Sequence, residues 1–368
     1  MPSPLSLIAE ITHRCPLHCV YCSNPLEMKA RGREISTDAW ARVFQEAAAL
    51  GTLQLHLTGG EPLARPDVTE LVAAGRRAKL YVNVITSGLG LDAARLQGLV
   101  DAGLDHMQLS FQDSEAEPAD RIAGTRAHAR KLEIARLIKS QRLAFTINMV
   151  VHRQNLDRLE EMIALAEQLQ ADRIEIANVQ YYGWALENRE ALLPTRAQLM
   201  QSVAVVEAAR ARLNGRMRID FVVPDYYARY PKTCSGGWGR SIMLIDPAGF
   251  ALPCHAAGVI PGLRFDNVCE RSLRWIWEES PAFQKYRGTE WMPEPCQSCE
   301  RRDLDLGGCR CQAFLLTGDA EATDPTCSLA PGRGLVEAII ERVNAETPPV
   351  LPTSGSSSWV YRVDPANV

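Results

Sequence analysis

The chain has 368 residues, of which 46% are hydrophobic, and a formal net charge of -4. This length is sufficient for a barrel-sized domain and a smaller one, and the acidic balance, with no basic run, argues against nucleic acid as a partner. The N-terminus lacks the basic and apolar regions of a secretory signal, and no apolar stretch approaches the ~20 residues that a membrane-spanning helix needs. We therefore expect a cytoplasmic protein with no membrane partner.

In chain order, the first half of the sequence alternates short β-branched runs with amphipathic helical patterns. Thr37 and Asp92 stand where helix N-caps are expected, and Gly51 and Gly103 follow predicted helix ends. Such an alternation predicts a parallel sheet with helices outside, although periodicity alone does not distinguish an open sheet from a barrel. Strands are predicted at 7–12, 53–58, 81–86, 106–111, 144–151 and 173–179, and helices at 37–50, 66–79, 92–102, 115–141 and 155–170.

The loop after the first predicted strand carries Cys15, Cys19 and Cys22 at C-x3-C-x2-C spacing. Three thiols in one short loop suit an iron–sulfur cluster. Because a four-iron cluster needs four ligands, such a loop leaves one iron open to a substrate or cofactor, as a catalytic zinc keeps a free position. Half of a zinc site and unrelated buried thiols are the alternatives.

The second predicted strand ends in Thr58-Gly59-Gly60-Glu61-Pro62. Two glycines let backbone approach a ligand closely, and Glu61 adds an acceptor for an ammonium group. Alone, this sequence is also compatible with a simple tight turn. Together with the three-cysteine loop, it resembles the radical S-adenosylmethionine (SAM) superfamily.

This resemblance implies an α/β fold with a partial (β/α)6 barrel, whose sites lie at the carboxyl ends of the strands. It also implies that the open iron of a [4Fe-4S] cluster binds the amino and carboxylate groups of SAM, while the Gly-Gly-Glu turn holds the amino group. Reductive cleavage then yields a 5′-deoxyadenosyl radical that abstracts hydrogen from the substrate. The resemblance also implies further contacts with the cofactor from Tyr21, Ser87, Ser110 and Asn148. Alternatively, these residues only form the turns that end the strands.

Residues 180–233 form a predicted transition between domains. The aromatic run 180–184 could line a substrate cavity or pack the open side of the barrel. A helix capped by Thr195 is predicted to extend to Leu213, and residues 217–223 are strand-like.

The cysteines are unevenly distributed, with three by residue 22, none from 23 to 233 and eight from 234 to 327. In a reducing compartment, such a set indicates metal ligands rather than disulfides. In the second array, Cys234 and Cys254 bracket a hairpin pattern, and a C-x2-C-x5-D-x3-C-x-C run follows. This array resembles the SPASM domain of radical SAM enzymes that modify peptides, except that Asp305 stands where a cysteine is expected.

The SPASM resemblance implies two auxiliary iron–sulfur clusters, of the [4Fe-4S] or [2Fe-2S] type. Three ligands for the open cluster and four for each auxiliary cluster account for ten cysteines and Asp305, which leaves Cys269 as a buried structural thiol. A pair of zinc sites is the alternative. The implied ligands are Cys234, Cys254, Cys309 and Cys311 for the first auxiliary cluster, and Cys296, Cys299, Asp305 and Cys327 for the second.

We therefore predict a barrel domain over 1–215, with a bridging helix from about 181, a SPASM domain over 216–331, and a terminal region over 332–368. The terminal region is predicted to contain a helix at 332–345 and a mobile Pro/Ser/Gly-rich tail. The closing residues 359–362 are too few to interpret.

Four details narrow the resemblance to the PqqE family of pyrroloquinoline quinone biosynthesis. It implies a precursor peptide, PqqA, in which a glutamate γ-carbon is joined to a tyrosine ring. It further implies a peptide chaperone, PqqD, and an electron donor such as flavodoxin, while the general base is not identifiable. Another SPASM maturase, thioether-forming or sulfatase-activating, and a non-enzymatic zinc scaffold are the alternatives. The four details are Asp305, the Cys309-Arg-Cys311 pair, and the sequences at 109–114 and 180–185.

Overall fold

The computed structural model describes residues 3–345 and 359–365, which form one nine-stranded sheet with helices packed against it. The strands are β1 Ser6–Thr12, β2 Gln54–Gly59, β3 Tyr81–Thr86, β4 His106–Phe111, β5 Ala144–Val151, β6 Arg173–Asn178, β7 Arg218–Val222, β8 Ile242–Ile245 and β9 Ala251–Leu252. The α-helices are α1 Thr37–Ala49, α2 Val68–Arg77, α3 Ala93–Asp101, α4 Ala116–Ala123, α5 His128–Ser140, α6 Leu159–Gln168, α7 Gly183–Glu187, α8 Arg189–Leu192, α9 Arg196–Leu213, α10 Leu273–Glu279, α11 Pro281–Gln284, α12 Arg302–Asp305, α13 Arg310–Thr317 and α14 Arg333–Ala345.

The sheet has the order β7-β6-β5-β4-β3-β2-β1-β8-β9. Every neighbouring pair is parallel except the β8–β9 hairpin. Strands β1–β6 and the helices between them are the predicted six βα units, and the sheet does not close on itself. The partial barrel expected from the sequence is therefore confirmed.

The barrel strands have one apolar face, which packs against the helices. Leu55, Leu57, Val82 and Val84 alternate along β2 and β3 and are fully buried in this core. The opposite face is polar, and there the Asn83 amide nitrogen lies 3.1 Å from His56 Nδ1. Helix α1 contributes a stripe at helical spacing to the same core: Trp40, Val43, Phe44 and Ala47.

Two details of the predicted helices are wrong. The N-cap of α1 is Ser36, whose hydroxyl accepts a hydrogen bond from the Ala39 N–H, whereas Thr37 is the first helical residue and donates to Asp67. The predicted helix at 115–141 is two helices, because α4 ends at Gly124, whose φ of +62° favours glycine. The Asp92 and Thr195 caps are confirmed, and Thr195 also forms a capping box with Gln198.

The second half of the chain extends the barrel sheet. The predicted hairpin is confirmed as β8 and β9, and β8 also pairs in parallel with β1, which the sequence pattern did not predict. Strand β7 lies beside β6 at the other edge. This continuity packs Ile8 of β1 against the buried cluster that contains Cys234, Cys254 and Cys311.

The helix predicted at 332–345 is confirmed as α14. The predicted mobile tail, residues 347–358, lies outside the described residues. Within the described ranges, no helix combines the length and the apolar character that crossing a membrane requires.

Candidate active site

The three N-terminal cysteines lie together at the carboxyl ends of the barrel strands. Cys15, Cys19 and Cys22 line one cavity of about 330 Å³, a size within the range of small-molecule sites. The loop that carries them is held against the end of α4, where the His18 N–H donates to the Ala123 carbonyl at 2.8 Å. Three thiols that face a cavity with room for a further ligand fit a cluster with one open iron.

Burial dominates the electrostatics of these thiols. Desolvation raises the pKa of all three, that of Cys22 to about 11, while the Arg362 guanidinium acts in the opposite direction on each of them. A buried thiolate is unfavourable unless positive charge compensates it. A metal centre bound by these thiolates would supply such compensation, and the Arg362 guanidinium acts in the same direction.

The two glycines after β2 are required by the protein itself. The Gly60 N–H donates to the Thr12 carbonyl at 2.6 Å. A Cβ atom at Gly59 would lie 2.1 Å from that same carbonyl oxygen, and one at Gly60 would lie 2.3 Å from the Arg14 carbonyl oxygen. The glycines thus let the end of β2 pack directly against the start of the cysteine loop, and both also line the cavity.

Glu61 lies outside the cavity wall and is fully buried. Its carboxylate accepts hydrogen bonds from the Leu63 N–H, the Thr86 hydroxyl, and both the N–H and hydroxyl of Ser87, at 2.5–3.0 Å. Burial raises the pKa of Glu61, and these hydrogen bonds oppose the increase. In this structure, Glu61 fixes the end of β3, including Ser87.

The other predicted cofactor contacts surround the same cavity. Tyr21, Ser87, Ser110 and Asn148 all line it. They come from the cysteine loop and from the ends of three strands, because the carboxyl ends of parallel strands meet at one edge of a sheet.

Sequence reasoning missed a polar chain behind this wall. The ammonium group of Lys131, a residue only 1% exposed, donates to the Ser110 carbonyl and to Gln112 Oε1, both at 2.8 Å, and Gln112 Nε2 donates to the Tyr21 hydroxyl. Desolvation lowers the pKa of Lys131 to about 8. The sequence does contain a sign of this buried lysine, because Lys131 lies at helical spacing from Ile134 and Ile138 on the buried face of α5.

The cysteines assigned to the first auxiliary cluster converge. Cys254 Sγ and Cys311 Sγ lie 4.0 Å apart, and Cys234 contacts both Cys254 and Cys309. In the described chain, no group of three or more Cys, His, Asp or Glu side chains has the geometry for a single metal ion. This result is compatible with a cluster, because the ligands of an iron–sulfur cluster bind different iron atoms and need not meet at one ion. We therefore group the four thiols by their mutual contacts.

The four residues assigned to the second auxiliary cluster line one cavity. Cys296, Cys299, Asp305 and Cys327 all face it. Asp305 ends α12, is 8% exposed and accepts a hydrogen bond from the Gly307 N–H. The aspartate therefore stands among the cysteines, where its carboxylate can act as an oxygen ligand to iron.

Cys269 is exposed, so the expectation of a buried thiol is wrong. It lies in the turn that precedes α10, where its N–H donates to Asn267 Oδ1 and its side chain points away from the core.

A second cavity of about 640 Å³ adjoins the first. His255 lines both cavities. Within the aromatic run at 180–184, Tyr182 lines the second cavity, whereas Tyr181 packs in a buried hydrophobic cluster. The Tyr182 hydroxyl also lies 3.3 Å from Cys309 Sγ, and so this side chain connects the second cavity with a candidate cluster ligand.

Comparisons with known proteins agree with this geometry. The family model described as the Radical SAM superfamily matches residues 9–166, and one described as an iron–sulfur cluster-binding domain, SPASM, matches residues 234–300. A "PqqA peptide cyclase" of Granulibacter bethesdensis is 56% identical over 92% of this chain and 90% of its own length. One of Methylorubrum extorquens is 51% identical over 100% and 94%.

Among solved structures, Streptococcus suis SuiB bound to S-adenosylmethionine superposes with a TM-score of 0.73 at 20% sequence identity. The match covers 89% of this chain and 78% of SuiB. At this identity the likeness concerns the fold.

Proposed function

Because the chain belongs to the family of PqqA peptide cyclases, radical SAM enzymes with a SPASM domain, we propose that it joins a glutamate γ-carbon to a tyrosine ring in the precursor peptide PqqA. The product serves pyrroloquinoline quinone biosynthesis. The reaction removes one hydrogen atom from the glutamate carbon and a proton and an electron from the tyrosine ring.

The enzyme uses a [4Fe-4S] cluster, S-adenosylmethionine and auxiliary iron–sulfur clusters. When bound, the first two supply a carbon-centred radical able to remove a hydrogen atom from the substrate. In our proposal, Cys15, Cys19 and Cys22 hold the open cluster. The Gly59-Gly60 turn, supported by Glu61, would hold the amino group of SAM, and the side chains of the cavity wall would orient its nucleoside end.

The auxiliary ligands are proposed as the two sets that converge in the SPASM domain. Cys234, Cys254, Cys309 and Cys311 share mutual contacts, and the other set shares a cavity. The electron lost by the tyrosine ring can leave toward the first set, because Tyr182 lines the substrate side and contacts Cys309.

The observation that carries the proposal is the pair of adjoining cavities that share His255. We infer that the smaller cavity holds the cofactor and the larger one the reacting glutamate and tyrosine of the peptide. Closing both reactants in adjoining cavities brings the substrate carbon near the radical source and excludes water.

The larger cavity contains groups of both charges. Lys29 and Phe250 both line the larger cavity, and the Lys29 ammonium group lies 5.8 Å from the centroid of the Phe250 ring. In our proposal, this ammonium group binds a carboxylate of the substrate. Glu10 lies on the same wall, and its Oε2 is 3.3 Å from His13 Nε2. Since His13 Nδ1 accepts a hydrogen bond from the Lys29 N–H, the ring proton lies on Nε2 and faces Glu10.

Three further parts of the proposal concern the cell rather than the site. A chaperone such as PqqD would present the peptide, a flavodoxin-like protein would supply electrons, and both belong in a reducing cytoplasm. They rest on the family resemblance of the sequence.

The test is anaerobic reconstitution with iron and sulfide, followed by incubation with PqqA, SAM, reductant and PqqD. Fragment mass spectra are expected to show the loss of two hydrogen atoms within a linked glutamate–tyrosine pair. A Cys22→Ala variant is the control and should leave the peptide unchanged. Vigorous SAM cleavage with intact PqqA would contradict the proposal and favour another SPASM maturase.

A further inference from the structure

The C-terminal residues 359–365 return to the cysteine loop of the barrel. The Val360 backbone is fixed by both ends of the Asn188 side chain, at 2.7 and 2.9 Å. The Arg362 carbonyl accepts a hydrogen bond from His18 Nδ1 at 2.8 Å, and Asp364 Oδ1 accepts one from the Cys15 N–H at 3.1 Å. A segment that follows more than 300 residues after the cysteines therefore forms part of their surroundings.

Within this segment, the Arg362 side chain is 2% exposed. Its guanidinium donates to the Leu17 carbonyl at 3.2 Å and also to the His13 carbonyl. Both acceptors belong to the loop that carries Cys15 and Cys19. Arg362 thus ties the loop to the C-terminus through two backbone oxygens.

The Nε donor of this guanidinium has no partner among the residues that the structure describes. Arg362 Nε is buried and unbonded among the described residues, although Arg362 lines the cofactor cavity. A buried N–H without an acceptor is costly. The Arg362 guanidinium also forms an ion pair with the Asp364 carboxylate at 2.7 Å. Because the Asp364 side chain is 42% exposed, solvent screens this pair and the guanidinium charge is only partly neutralised.

The positive charge faces the cysteines. Arg362 lines the same cavity as Cys15, Cys19 and Cys22, and its two backbone acceptors lie in the loop that carries them. Lys131 is a second buried cation near Cys19, but it donates to Ser110 and Gln112 and does not line the cavity. Arg362 is therefore the cation with a free donor in the cavity wall.

We propose that Arg362 is a cofactor-positioning residue, whose guanidinium completes the radical SAM site by facing an anionic group in the cavity. That group is either a cluster sulfur or the carboxylate of SAM, which share the chemistry of a buried hydrogen-bond acceptor with negative charge. The C-terminal segment is then a component of the cofactor site. The inference rests on the cofactor site described under the proposed function.

The test uses the full-length chain, reconstituted anaerobically, as Arg362→Gln and Arg362→Lys variants. Val363→Ala is the matched control, because Val363 is the next residue in the chain and is 64% exposed. Three quantities are measured: iron bound per chain, the midpoint potential of the radical SAM cluster without SAM, and the dissociation constant of SAM by equilibrium dialysis.

A lower midpoint potential in Arg362→Gln, restored in Arg362→Lys, identifies a cluster sulfur as the partner, because the charge alone acts on the cluster. An unchanged potential with SAM binding about tenfold weaker identifies the carboxylate, since this is the loss expected for a hydrogen bond to a charged group. If Arg362→Gln retains no iron, the midpoint potential and the SAM dissociation constant of Arg362→Lys identify the partner instead. Should both lose iron, an unchanged melting temperature of the apo chain supports the inference and a lowered one overturns it.

Wild-type potential and SAM affinity in Arg362→Gln would overturn the inference. If the wild type still crosslinks PqqA in that case, the proposed function stands and only the role of Arg362 is lost. A wild-type chain that binds no SAM would overturn both.

Discussion

Replacing Tyr182 with phenylalanine removes a single hydroxyl that lies between the larger cavity and the first auxiliary ligand set. The hydroxyl lies 3.3 Å from Cys309 Sγ, and the ring is 9% exposed. A hydrogen bond to a cluster sulfur stabilises the more negative, reduced state and so raises the reduction potential. Tyr182→Phe should therefore lower the potential of the auxiliary cluster that Cys309 ligates.

The magnitude follows from the kind of contact. Sulfur is a weak hydrogen-bond acceptor, so we assign the contact a differential stabilisation of about 1 kcal/mol, the typical net contribution of one hydrogen bond. Since a tenfold change in a one-electron equilibrium is about 59 mV and about 1.4 kcal/mol, the expected decrease is about 40 mV. Crosslinking of PqqA should slow as well, because the tyrosine ring of the substrate then gives its electron to a weaker acceptor.

The assay is a redox titration followed by electron paramagnetic resonance on the anaerobically reconstituted variant. Tyr181→Phe is the matched control, because Tyr181 is also buried and its hydroxyl has no hydrogen-bond partner among the described residues. Equal potentials in the wild type and Tyr182→Phe would refute the assigned contact. An equal decrease of the reduction potential in Tyr181→Phe would mean that the effect comes from general loosening of the segment and not from the hydroxyl of Tyr182.

Three more substitutions test other parts of the site. Gly60→Ala places a Cβ atom 2.3 Å from a backbone oxygen and should reduce the iron bound by the barrel, whereas Gly98→Ala, with nothing within 4 Å, should leave iron content unchanged; iron analysis decides. Asp305→Ala should abolish the paramagnetic signal of one auxiliary cluster and Asp305→Cys should retain it, so a full signal in Asp305→Ala would exclude the carboxylate ligand. Lys29→Gln should weaken PqqA binding by about tenfold with SAM binding unchanged, and equal peptide affinity by calorimetry would remove Lys29 from the substrate site.

The parts of the site that are local in sequence were predictable. The C-x3-C-x2-C spacing places three thiols in one loop, and the rule that parallel strands share a carboxyl edge brings Ser87, Ser110 and Asn148 to the same wall. Asp305 could be assigned by its position in a cysteine pattern, and it does lie with three cysteines. In each case, neighbours along the chain or one strand away determine the contact.

The remaining parts depend on contacts that no local pattern encodes. Arg362 contacts the cysteine loop, about 345 positions away in the chain. Nothing in the short closing sequence 359–362 indicates this contact. Glu61 satisfies its carboxylate with Thr86 and Ser87, and this orientation depends on the packing of β2 against β3. The Pro247-Ala-Gly249 turn between two apolar runs predicted the β8–β9 hairpin, but the parallel pairing of β8 with β1 is set by the tertiary fold.

The central claim is that a radical formed at the Cys15–Cys19–Cys22 site takes a hydrogen atom from a glutamate side chain of the peptide. The most direct measurement uses PqqA that carries deuterium at the γ-carbon of that glutamate, followed by mass spectrometry of the 5′-deoxyadenosine released. The account predicts one deuterium atom in that product for each crosslinked peptide. Crosslinked peptide accompanied by 5′-deoxyadenosine free of deuterium would contradict it.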